Sequence, residues 1–280
     1  EELSGGSITI DIQANGVLGA ESDVLDTMLG GGGTIDMARI SAFALTSYGG
    51  EKSSLLSVPF TFVSRDHFWN FATSDLAQEF LLEPHENGTG IRGLFYGEEG
   101  FRHFFTVNPI EGMDDLAGMK IRVSESDLML KMMESLGGVG VGLPFNDTYS
   151  SIQTGVVDGA ENNMTSYIEM SFYEVAPYWT YDGHSYMPDM ILASKQTMDK
   201  LSPQDQQIIF DCAGEAEIWH RDAWEESEAK NAEIAREKGC ILTTLTDDEL
   251  QQFKDAVAPM YDSFLNEEQA AIVARVQALG

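Results

Sequence analysis

What most constrains the fold of this chain is an alternation of strand-like and helix-like segments that runs through most of its length without a visible break. "SITIDI" (7–12) alternates as a strand, "ESDVLDTMLGG" (21–31) has helical spacing, and "TIDMARI" (34–40) returns to strand. "SLLSVPF" (54–60) reads as loop and strand ahead of a helix over 64–85. Strands are expected at 90–96 and 101–107, then at "GMKIRV", followed by a helix from Ser126 to Leu136. "GVGVGLP" (138–144), a helix over 145–155, "VVDGAENN" (156–163) and "DMILASK" (189–195) continue the series. Such a pattern is α/β with largely crossover connections. With 280 residues, 43% of them hydrophobic, the chain can bury two medium cores, and the usual domain size of roughly 150 residues favours two lobes. No repeat or low-complexity linker marks a boundary. The chain must then cross between lobes more than once, as a hinged pair does.

From Ser202 to Lys238 the sequence predicts one long helix. Ser202 suits the N-cap, Pro203 the first turn, Gly214 is the one glycine inside, and Gly239 ends it. Cys212 and Cys240 are 240 − 212 = 28 residues apart along it, which at ~1.5 Å per residue separates them by ~40 Å. A disulfide is out of reach, and two buried thiols are expected. The five histidines show no metal-ligand spacing.

Charge excludes other classes. Lys+Arg total 16 against 46 Asp+Glu, so 16 − 46 = −30. A chain this acidic repels nucleic acid and anionic membrane surfaces. Its acidity suits a surface kept hydrated in strong salt, where screening shortens self-repulsion. No run reaches the ~18 apolar residues of a membrane span.

Enzymatic motifs are scarce. "LGGGGT" (29–34) is followed by no GK[ST] and comes after a helix, so a tight helix-to-strand turn accounts for it better than a phosphate cradle. GxSxG, HExxH and a GxGxxG after a strand do not occur. The sparse arginines are more telling, because Arg39, Arg102 and Arg122 fall at or beside strand ends. In open α/β sheets ligands sit outside the carboxyl ends of strands, where a guanidinium can hold a carboxylate by two parallel hydrogen bonds. Together with "FRHFFT" and "GAENN", this points to an anion site.

"NPIEGMDDLAGMKIRV", "LPFNDTYSSIQTGVVDGAENN" and "FYEVAPY" resemble the core pattern of the solute-binding proteins of TRAP (tripartite ATP-independent periplasmic) transporters, and the resemblance runs over nearly the whole chain. It implies a two-lobed periplasmic solute-binding fold with crossing hinge strands and one long lobe-bridging helix, closing over an organic acid. The first lobe would comprise 1–97 plus roughly 190–225, and the second 98–189 plus roughly 226–280, with the ligand cleft between them. The family's signature arginine matches Arg122. Its spacings to Arg102 (122 − 102 = 20) and Asn162 (162 − 122 = 40) resemble those of sialic-acid receptors, and Phe145 matches an aromatic of the ligand site. Family members carry a strand and most of a helix ahead of the "SGGSI"-like turn, whereas this sequence begins "EELSGG". Periplasmic export is therefore implied by the resemblance and not read from a signal peptide.

"YGEEGFRHFF", "MARISAF" and "GAENNMTSY" look like the branch that binds hexuronates. A carboxylate clamp with acceptors such as Glu98 and Glu99 and amides such as Asn162 and Asn163 fits a polyol acid. A C4-dicarboxylate would want a second cation, for which Arg39 or Arg102 could serve, and it stands as the alternative. Glu98 and Glu99 read equally well as solvated loop residues. Phe43 and Phe60 read as core, Trp179, Trp219 and Trp224 as packing, and His184 as satisfying backbone. The resemblance further implies a monomeric receptor, with no cofactor and no catalysis, that passes a sugar acid to TRAP membrane subunits. An enzyme acting on sugar acids would need a positioned acid/base or nucleophile, and no motif for one appears.

Overall fold

The structure is a computed structural model describing residues 1–14, 16–30 and 34–280. Residues 31–33, where the sequence suggests a tight turn, lie outside the described residues. In chain order the elements are α1 (Glu21–Leu29), β1 (Met37–Ser41), α2 (Glu51–Leu55), α3 (Arg65–Ala72), α4 (Asp75–Glu86), β2 (Ile91–Thr106), β3 (Lys120–Val123), α5 (Asp127–Ser135), β4 (Val139–Gly142) and α6 (Thr148–Gln153). There follow β5 (Gly159–Asn162), α7 (Met164–Glu169), β6 (Tyr178–Ser194), α8 (Lys195–Lys200), α9 (Pro203–Glu237), β7 (Ile241–Thr244), α10 (Asp247–Phe264) and α11 (Glu267–Gln277).

These elements form two compact units. Unit 1 holds residues 1–54, 72–98 and 188–223, and unit 2 holds 55–71, 99–187 and 224–280. The stretch 55–71, inside the range the resemblance assigns to a first lobe, counts with unit 2. β2, β6 and α9 each run from one unit into the other, so the chain crosses repeatedly.

In unit 1, β1 pairs antiparallel with the last part of β6, Arg39 standing opposite Ile191. In unit 2 the first part of β6 carries parallel β7 on one side and β2 on the other, and the order continues β5, β3, β4. β2 and β5 are antiparallel, whereas β5–β3 and β3–β4 are parallel. Gly159 is required here, because a Cβ would lie 2.4 Å from the Phe105 carbonyl oxygen of the neighbouring strand. One face of this sheet is closed by an aromatic core in which Phe105, Phe172 and Trp179 stack and Tyr167 packs obliquely.

The long helix forms where the sequence predicts. Ser202 Oγ accepts from the Asp205 backbone N–H, and Gly239, just past the end, has φ +83°. Several expectations fail for identifiable reasons. Residues 7–12 join no ladder and take no strand, leaving Ile10 and Ile12 exposed, because alternation specifies a strand only where a partner strand stands beside it. In the 54–60 stretch, residues 54–55 end α2 and residues 56–60 are turn and bend, not strand. The helix over 64–85 is two, since Ser74 Oγ accepts from the Ala77 N–H and starts a new helix there. The strands at 90–96 and 101–107 are one, β2. Cys212 and Cys240 are free thiols, but Cys212 is exposed and Cys240 only half-buried. Trp179 is core, while Trp219, expected to pack, is 71% exposed. No helix among the described residues is long and apolar enough to cross a membrane.

Candidate functional site

Sequence alternation gives the unit 2 strands two faces, and the register decides which side chains share one. Phe104 stands opposite Glu161, so Arg102, Phe104 and Glu161 share a face. Arg122 is level with Ala160, and His103 with Asn162, so Arg122, Ala160, Asn162 and His103 share the other. Arg102 and Arg122, both expected at the anion site, therefore leave the sheet on opposite sides.

Arg122 is 3% exposed at the carboxyl end of β3. Its Nε and Nη2 both donate to the Leu143 carbonyl, at 2.9 and 2.6 Å. Its guanidinium carbon lies 5.9 Å from the Phe145 ring centroid, a cation–π contact, and Phe145 in turn meets Phe172 edge-on. Asn162, at the end of β5, accepts at Oδ1 from the backbone N–H and side-chain Nδ2 of Asn163. Asn163 also caps α7, its Oδ1 accepting from the Ser166 N–H at 2.7 Å.

Arg102, on the opposite face, is fully engaged by a buried chain of charges. Its Nε pairs with Glu161 Oε2, its Nη2 donates to Glu161 Oε1 at 2.8 Å and to the Glu161 carbonyl at 3.0 Å, and Nη1 reaches Met187 Sδ at 3.3 Å. Glu99 lies 3.8 Å from Nη1. Glu161 also meets His184 Nε2 at 3.2 Å, and His184 Nδ1 meets Asp182 Oδ2 at 2.7 Å. The imidazole stacks on Phe104, with centroids 4.7 Å apart. Gly183, at φ +57°, supplies the left-handed residue between Asp182 and His184.

The charges in this chain fix one another. Burial alone would raise the Glu161 carboxyl, but the Arg102 charge and hydrogen bonds, helped by His184, hold it down at about 2. Burial alone would lower the His184 imidazole, yet Asp182 and then Glu161 raise it to about 9. Asp182 is held below the usual carboxylate range, against the effect of burial, chiefly by the His184 charge. His103 behaves oppositely. Burial pushes it down, and its Nδ1 accepts from the Asp182 and Gly183 N–H groups, so the ring is neutral and its approach to Asp182 is not an ion pair.

In unit 1, Arg39 is half-exposed and pairs with buried Asp189. Glu98 and Glu99 are not solvated loop residues. Both lie within β2, Glu98 is fully buried, and its backbone N–H and carbonyl meet His220 Nε2. Phe43 is core, whereas Phe60 is half-buried at φ +58° beneath Lys254.

Sequence reasoning missed Glu161, Asp182 and the partners of His184, whose ring meets two carboxylates and not backbone. A signal existed. "YWTYDGHSYMPDM" is a buried strand interrupted by Asp-x-His, two ionisable groups at the strand period, and such groups are buried only when paired.

Residues 1–268 match the family model described as bacterial extracellular solute-binding protein, family 7. A TRAP periplasmic solute-binding protein from Bradyrhizobium sp., solved with galacturonate, is 32% identical, with TM-score 0.92 over 99% of this chain and 91% of that one. Another from Pseudomonas putida, solved with D-glucuronate, is 30% identical, with TM-score 0.93 over 99% of this chain and 88% of that one. The uncharacterized protein YiiZ of Salmonella typhimurium is 31% identical over 268 residues, 95% of this chain and 80% of YiiZ. This chain belongs to the TRAP periplasmic solute-binding proteins, family 7 of the bacterial extracellular solute-binding proteins. That family consists of receptors.

Proposed function

We propose that this protein is an extracytoplasmic receptor for a hexuronate such as glucuronate or galacturonate, which it delivers to TRAP membrane subunits without altering it. The observation that carries this reading is the likeness, at 30% and 32% identity over 99% of the chain, to receptors solved with those two sugar acids. In this reading Arg122 meets the ligand carboxylate and Phe145 covers a ring face. Asn162, Glu98 and Glu99 answer hydroxyls, Asn163 holds Asn162, and Arg39 and Arg102 complete the site.

The ion pairs support a sugar acid over a C4-dicarboxylate. A second carboxylate needs a second cation, but both candidates already spend charge on protein carboxylates, Arg102 on Glu161 and Arg39 on Asp189. The protein is monomeric and exported in this reading, and its −30 charge favours folding in strong salt. Raising sodium chloride from 0.01 to 1 M shortens the Debye length from about 30 to about 3 Å and should raise the melting temperature.

Thermal shift tests the ligand. At a hundredfold excess over its dissociation constant a ligand adds about 2.7 kcal/mol, which is several degrees for a chain of this size. D-Glucuronate should raise melting and remain chemically unchanged by NMR. Stabilisation by succinate or malate in place of uronates would overturn the sugar-acid reading, and product formation would overturn the receptor reading.

A further inference from the structure

We propose that Asp182 is a positioning residue for the ligand site: by holding His184 through Nδ1 it turns Nε2 onto Glu161, and so fixes the guanidinium of Arg102 in one orientation. Its bearing on ligand capture rests on the hexuronate reading above.

The geometry is a series of four buried side chains, each exposed by 3% or less: Arg102, Glu161, His184 and Asp182. A neutral imidazole carries one N–H, so only imidazolium can donate to both carboxylates at once. Asp182 Oδ2 sits 2.7 Å from Nδ1, a shorter contact than the 3.2 Å from Nε2 to Glu161, and Asp182 Oδ1 is itself placed by the Phe104 backbone N–H at 3.3 Å. Asp182 thus has the firmer hold on the ring. Two cations and two anions balance in the series, and removing the terminal anion unbalances it.

The groups facing His184 come from every side. Asp182 is on its own strand, Glu161 on β5, and the Phe104 ring with Arg102 beyond Glu161 on β2. His103 approaches Asp182 from β2, Glu99 stands behind Arg102, and the Phe60 N–H donates to the His184 carbonyl. Asp182 is the anion whose loss leaves Glu161 alone to keep the ring charged, in a site that burial drives toward neutrality. Once neutral, His184 donates through one nitrogen only, and an asparagine at 182 can donate to or accept from Nδ1, so it no longer fixes the tautomer that faces Glu161 and the grip on Arg102 loosens.

The test combines histidine titration, Arg102 Nε–H protection by hydrogen exchange, and calorimetry with D-glucuronate, on wild type, Asp182→Asn and His184→Gln. In wild type His184 stays charged through pH 8, and protection and affinity are flat from pH 6 to 8. In Asp182→Asn, His184 should titrate below pH 7, with Arg102 protection and glucuronate affinity each falling at least tenfold between pH 6 and 8. His184→Gln should be weak and flat, since it has no proton to lose. Persistent charge on His184 in Asp182→Asn, or unchanged Arg102 protection at pH 8, would overturn the proposal. If neither variant folds, wild type alone decides, because Arg102 protection must drop as His184 titrates near pH 9. If wild type ignores glucuronate while protection follows the expected course, the hexuronate reading fails and the Asp182 role stands.

Discussion

Arg102 and Arg122 are 20 residues apart (122 − 102) on neighbouring parts of one sheet, yet they meet opposite environments. Arg102 faces a carboxylate that binds it through both oxygens, backed by a charged histidine. Arg122 donates twice to the Leu143 carbonyl and lies over the Phe145 ring. The difference teaches that the same residue type on one sheet can be built into an ion pair or, in the reading proposed above, aimed at a solute. Burial does not separate the two, since both side chains are 3% exposed or less.

That contrast can be broken experimentally, starting with the largest effect. Arg102→Ala strands Glu161 in the interior and should cost about 3–5 kcal/mol of stability, a fall in melting temperature of roughly 10 °C. A variant melting within a degree or two of wild type would show that Arg102 is no structural anchor.

Arg122→Lys should act the other way. Lysine keeps the charge but loses the planar fork, so glucuronate affinity should drop by about 2–5 kcal/mol, thirtyfold to several thousandfold, with a smaller change in ligand-free melting than Arg102→Ala. Near wild-type affinity by calorimetry would remove Arg122 from the site.

A smaller effect appears with pH. His184 has a raised pKa in the fold, so its contribution is full below about 6.5 and fades as pH rises toward 9. Glu161 contributes above its ordinary range and loses that only as pH falls toward 2. His103, pushed down by burial, works against stability as the medium acidifies. Denaturant titrations should therefore show stability declining from pH 6.5 to 9, and His184→Gln should flatten that limb. Smallest is Asn163→Ala, which removes the α7 cap and should cost about 1 kcal/mol, with affinity changing through Asn162 alone.

Much of this was readable in the residues. The 35-residue α9 was plain because its start, its stop and its helix-forming interior agree. Arg122 near the end of β3 was equally clear, whereas Arg39 and Arg102, expected at strand ends, stand inside β1 and β2. Signals failed where a distant partner decides the outcome. Gly97 and Gly100 punctuate β2 as a turn would, yet the neighbouring strands carry the ladder through. "SITIDI" has the strand pattern and no partner strand among the described residues. Glu161 was hidden beside Asn162 for the same reason: which of two adjacent residues faces Arg102 depends on register, and register is not written in either strand alone.

One feature of α9 has a practical reach of its own. Cys212 is an exposed thiol on the long helix, whereas Cys240 is half-buried and its sulfur receives the Tyr167 hydroxyl at 3.4 Å. A maleimide reagent used briefly at neutral pH will therefore favour Cys212, and a single dye can be attached to the wild-type chain without engineering. Carried on α9, which holds residues of both units, that dye marks a position outside the set proposed to hold the solute.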